Sequence, residues 1–122
     1  MRRKKRSRVA AITALAMTVS LVALADQGRV DGYVQQVLMT SGDAFGGCMA
    51  KLSVDPATVL PECRPYWISF SCSGHFMDPV RALRMYDHAQ MAVATNYRVA
   101  VSFTDNSLHN GYCVASRIDV FK

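Results

Sequence analysis

DPVRALRMYDHAQMAVATN, residues 78–96, is the stretch on which the fold turns, because its period is helical while that of its neighbours is not. Asp78 stands at the N-cap, where a carboxylate accepts a hydrogen bond from a free amide, and Pro79 takes the first helical position, where a missing N–H costs nothing. Val80, Leu83, Tyr86 or Asp87, Gln90, Val93 and Tyr97 fall along one side of such a helix, and Ala82, Met85, Ala89 and Ala92 along the adjacent side. Asn96 can end it in the left-handed conformation. The spacing predicts a helix of about 17 to 19 residues with a broad face of small side chains.

Working outward, the period on either side is two. Upstream, residues 29–40 (RVDGYVQQVLMT), 48–54 (CMAKLSV) and 67–72 (WISFSC) read as strands. SGDAFGG at 41–47 is a turn, and 55–66, with Pro56, Pro61 and Pro65, is a loop that no central strand tolerates. Downstream, YRVAVSFT at 97–104 places Val99, Val101 and Phe103 on one face. YCVASRIDVF at 112–121 places Tyr112, Val114, Ile118 and Val120 on one face, and residues 105–111 join the two as a hairpin loop. The order is β-β-β-α-β-β, mostly β with one helix. A helix between strands three and four predicts a five-stranded OB-fold barrel, with an open α+β sandwich as the alternative.

The first 25 residues stand apart from this pattern. MRRKKRSR is followed by an apolar run, residues 9–25, that ends in Ala23-Leu24-Ala25, which predicts a secretory signal peptide over 1–25 and a single domain over 26–122. Six of the 14 Lys and Arg lie in that leader, which leaves eight cations against nine carboxylates. The mature chain therefore lacks the excess of positive charge that nucleic-acid binding requires. All 4 cysteines, Cys48, Cys63, Cys72 and Cys113, fall in the mature part, an even set in a small exported chain, and disulfides are expected. Three pairings exist. The preferred one joins Cys48 to Cys63, pinning the proline loop to strand two, and Cys72 to Cys113, stapling strand three to strand five. With no CxxC and no cysteine–histidine pair at ligand spacing, neither a metal nor a cofactor is expected.

With the elements placed, YWISFSCSG, the helix with its AQ-x-A, Arg98 before V-x-V, and NGYCVASRIDVF resemble small exported bacterial proteins like the B subunit of subtilase cytotoxin. The likeness covers residues 30 to 122. It implies an OB-fold, ring-shaped oligomers such as pentamers, and binding of cell-surface glycans without an enzymatic step; it carries no sugar-binding residue onto a position of this chain.

Catalysis by Cys113 with His109 requires a free thiolate, which an oxidising compartment removes, so no enzyme is expected. His75, His88 and His109 lie in different elements. The aromatic side chains Tyr66, Trp67 and Tyr112 can offer ring faces to a sugar, although Trp67 at the start of a strand reads first as a core residue. Asn106, Ser107, His109 and Asn110 supply short polar partners. The candidate ligand-binding set is His109, Asn110, Tyr112 and Tyr66. The expected protein is periplasmic or secreted, has no membrane anchor after cleavage, and binds a glycan or another envelope component. The alternative is a periplasmic structural or inhibitor-like protein that binds another protein. The small-residue helix face offers a route to homo-oligomers.

Overall fold

The computed structural model describes residues 26–122, so the expected signal peptide over 1–25 lies outside the described residues. The chain forms strand β1 (Gln27–Met39), β2 (Cys48–Leu52), β3 (Trp67–Ser69), helix α1 (Pro79–Thr95), β4 (Arg98–His109) and β5 (Tyr112–Phe121). It departs from the expected order by two one-turn 3-10 helices, Ala44–Gly46 between β1 and β2 and Pro56–Thr58 between β2 and β3. The domain is mostly β with one helix, and the five strands form a mixed sheet that closes into a ring in the order β1-β2-β3-β5-β4. Every pairing is antiparallel except β3 with β5, which is parallel and rests on the single pair Ser69 and Val114.

The helix forms for the reasons its sequence states. The Asp78 carboxylate accepts from the Arg81 amide at 3.1 Å, Pro79 opens the first turn, and Asn96 ends the helix at φ 55°. Ala82, Tyr86, Ala89 and Ala92 are its buried residues, whereas Val80 and Leu83 face solvent. The small face is therefore the one turned inward, where alanines let the helix axis approach the ring closely and Tyr86 packs on Phe70 with ring centroids 6.1 Å apart.

Ring closure needs strands that bend, and three register irregularities mark the bends, one of them in β4 between Thr104 and Leu108. In β1, Val34 pairs with Leu52 and Gln36 with Lys51, so Gln35 is an extra residue. There β1 changes partner, from β4 over Gln27–Tyr33 to β2 over Val34–Met39. In β5, Arg117 faces Ser102 and Ala115 faces Phe103, which makes Ser116 the extra residue. The expected single face of Tyr112, Val114, Ile118 and Val120 is corrected by this bulge: Cys113 and Ala115 point into the core, and beyond Ser116 the inward positions become Ile118 and Val120.

Two further expectations are corrected. Residues 105–111 are not one loop: β4 runs on to His109 with residues 105–107 bulged out of the β5 pairing, and the hairpin turns on Asn110 and Gly111, at φ 52° and 84°. Two consecutive left-handed residues make the tight turn whose twist matches paired strands, and Asn-Gly is the dipeptide best suited to it. The disulfides join Cys48 to Cys72 and Cys63 to Cys113, not Cys48 to Cys63 and Cys72 to Cys113. The Arg64 amide donates to the Gly111 carbonyl, which draws the end of the proline loop, and Cys63 with it, to the β4–β5 hairpin. The Phe70 amide donates to the Cys48 carbonyl, bringing the chain after β3 back to the start of β2.

Candidate functional site

Register sets the site. Core positions of β2 and β3 are Cys48, Ala50, Leu52 and Ile68, so Met49, Lys51, Trp67 and Ser69 point outward. Leu38 stands beside Met49, and Lys51 beside Trp67. Trp67 is half-buried on the outer face, and Ile68 is the core residue next to it, which corrects the reading of Trp67 as core.

Phe45, in the β1–β2 connection, folds over this face. It has φ 56°, a left-handed conformation that costs a residue with a side chain about 1 kcal/mol or more. Its backbone is held on both sides: the amide donates to Asn110 Oδ1 at 2.9 Å, and the carbonyl accepts from Ser69 Oγ at 2.8 Å. The ring meets Tyr112 edge to face at 5.9 Å. Leu38, Phe45, Met49, Trp67 and Tyr112 together line a cleft of about 180 Å³ with Met49 as its closed floor. Arg64 stands at the Tyr112 rim, its guanidinium 5.4 Å from the ring centroid and its Nη1 donating to the Asn110 carbonyl at 3.2 Å. A side chain on Gly111 would strike the Arg64 stem, so the turn glycine also makes room for this arginine.

Behind the cleft lies a buried polar chain. The Ser71 amide donates to Ser69 Oγ at 3.1 Å, and the Phe76 amide donates to Ser71 Oγ at 3.1 Å. His109 Nε2 lies 2.9 Å from Ser71 Oγ. With Ser71 Oγ already accepting from the Phe76 amide, it can either donate to His109 Nε2 or accept from it, according to the tautomer of the imidazole. Burial lowers the His109 pKa, His75 beside it lowers it further, and Asp43 opposes both. Phe76 packs on the ring at 4.6 Å. Gly46 covers it from the other side, where a Cβ would collide with Ser69 Oγ and His109 Cδ2.

The four expected binding residues are thus divided. Tyr112 lines the cleft, and Asn110 holds its Phe45 wall. His109 is only 8% exposed and belongs to the scaffold beneath, which corrects its placement in an open loop. Tyr66 sits at φ 66° with its amide on Asp55 Oδ1 at 3.1 Å, outside the cleft lining. Sequence reasoning missed Leu38, Phe45, Met49 and Arg64. The only signal for them was the alternation in CMAKL, which places Met49 opposite the core residues.

Among the described residues no three His, Cys, Asp or Glu side chains gather as a metal site, and no helix is long and apolar enough to cross a membrane. A wider groove of about 660 Å³ lies between α1 and β5, but Arg29, Arg117 and Asp119 along it are already paired with one another. Comparison with known protein families, curated proteins and solved structures finds no match.

Proposed function

We propose that this chain is an exported binding domain of the OB-fold kind, resembling the B subunits of AB5 toxins, and that its ligand is a glycan seated in the aromatic cleft. The observation that carries the reading is the position of Trp67 and Tyr112. Trp67 stands on the outer face of β3 beside β2, and Tyr112 opens β5 next to the β4–β5 turn, so the cleft lies between the β1–β2 and β4–β5 connections. That is where OB-folds take up oligosaccharides and oligonucleotides. Ring faces pack on the apolar face of a sugar, and Arg64 and Asn110 supply polar partners at the rim. Eight cations against nine carboxylates over residues 26–122 speak against an oligonucleotide. The two disulfides fit an oxidising periplasmic or extracellular compartment. Binding requires no catalytic step, and the cleft holds no nucleophile paired with a base.

A second reading has its own support: Leu38 and Met49 make the cleft floor apolar, which suits a side chain of a partner protein. Trp67 is the only tryptophan in the chain, so its fluorescence reports directly on the cleft. Titration with the glycans retained on an array is expected to shift that emission. In the same glycan assay read without fluorescence, Trp67→Ala is expected to weaken binding at least tenfold, equivalent to about 1.4 kcal/mol. Failure of the folded protein to retain any glycan would favour the protein partner.

A further inference from the structure

We propose that the free edge of β5, Arg117 to Phe121, pairs antiparallel with the same edge of a second copy of this chain, giving a two-fold dimer. The inference is independent of the aromatic cleft, which lies on another face.

The edge is open because of what happens after β3. β3 runs parallel to β5 and meets it only at Ser69 and Val114; two residues later Ser71, at φ 57°, turns the chain away. From Ala115 onward β5 has β4 on one side and, among the described residues, no strand and no loop backbone bonded on the other. Backbone groups left there bond to water or to another strand.

The side chains show the same gap. Across the β4–β5 ladder, Val101 and Val99 are fully buried, yet their partners Ile118 and Val120, which also point inward, stay half-exposed. The wall of the ring stops at β5. The groove of about 660 Å³ beside it is lined by all five consecutive residues from Arg117 to Phe121, as a groove along a strand edge must be, since a groove on one face would touch alternate residues only. Its far wall is α1, where Met91 is 46% exposed. An added strand would cover Met91, Ile118 and Val120.

Charge selects the occupant and the register. Arg117 and Asp119 lie on one face of the strand, two positions apart, with the Arg117 side chain 68% exposed. A two-fold axis through Ile118 sets Arg117 of each copy opposite Asp119 of the other, so the 2.9 Å contact each makes within its own chain is shared across the joint, with Ile118 against its own counterpart. An axis through Asp119 would oppose two carboxylates. Arg29, which also reaches Asp119 at 3.4 Å, adds a second cation at the joint. The strand is thus complementary to itself in one antiparallel register, the requirement for pairing through an edge between identical chains.

The test is sedimentation velocity of the oxidised protein over a range of concentrations. A species of two-chain mass that grows with concentration is expected. Arg117→Asp and Asp119→Arg, each with both disulfides intact and an unchanged far-ultraviolet spectrum, are each expected to raise the dimer dissociation constant at least tenfold. An equal mixture of the two variants is expected to recover the dimer, because one then carries two carboxylates where the other carries two guanidinium groups. A defect in folding cannot be repaired in this way. A wild-type protein that stays monomeric or sediments as a five-chain ring, single variants that dimerise like the wild type, or a mixture that fails to recover would each overturn the proposal.

Discussion

His109 carries a charge balance that its position makes decisive. Its Nε2 lies 2.9 Å from Ser71 Oγ, under a glycine whose Cβ would strike the ring. In the unfolded chain its pKa returns to about 6.5, and in the fold it lies lower, with burial the leading cause. The stabilising contribution of the neutral ring is therefore complete above about pH 6.5 and is lost as pH falls from there through the folded value. Denaturant midpoints are expected to drop across that window, and His109→Gln, which keeps an acceptor near the Nε2 position, is expected to flatten the drop. An unchanged slope in the variant would assign the effect to another group. The sequence offered His109 as a rim ligand because Asp105-Asn106-Ser107 before it reads as loop. What it could not show is that a two-residue Asn-Gly turn suffices, so that pairing resumes at Leu108 beyond the 105–107 bulge and brings His109 onto the outer face beside Ser69.

Element by element, the most local signals were the most legible. Asp78, Pro79 and Asn96 act as their chemistry states, since a cap depends only on neighbours within one turn. The bulges at Gln35 and Ser116 were not legible, because an extra residue is defined by the partner strand and neither glutamine nor serine announces one. The disulfide pairing failed for a related reason: it followed adjacency in the sequence, while the fold brings Cys63 to the hairpin and Cys72 to β2. By loop-closure entropy the Cys63–Cys113 bridge, separation 50, contributes about 4 kcal/mol, and Cys48–Cys72, separation 24, about 3.5 kcal/mol. Both sulfur-bearing residues of the first are buried, whereas Cys72 is half-exposed. Mild reduction is expected to open Cys48–Cys72 first, as read by alkylation and peptide mapping. Earlier labelling of Cys63 and Cys113 would contradict that ordering.

For the molecule as a whole, the class of fold was readable because one helical period interrupts five segments of period two, and five strands with one helix have few ways to share a core. The aromatic cleft was half readable. Tyr112 and Asn110 were in view, but Phe45 enters only through a left-handed backbone, and the outward turn of Trp67 is settled by register rather than by composition. The crossing of the two disulfides has a consequence for the chain as a covalent graph. Cys63 lies inside the loop closed by Cys48 and Cys72, and Cys72 lies inside the loop closed by Cys63 and Cys113. Any single peptide bond cut between Cys48 and Cys113 is therefore bridged by at least one sulfur link. Limited proteolysis at one site in that span is expected to leave the mass on a non-reducing gel undivided, and to yield two fragments only after thiol is added. With the nested-free pairing of Cys48 to Cys63 and Cys72 to Cys113, a cut among residues 64–71 would have parted the molecule; as built, a protease that nicks it once does not divide it.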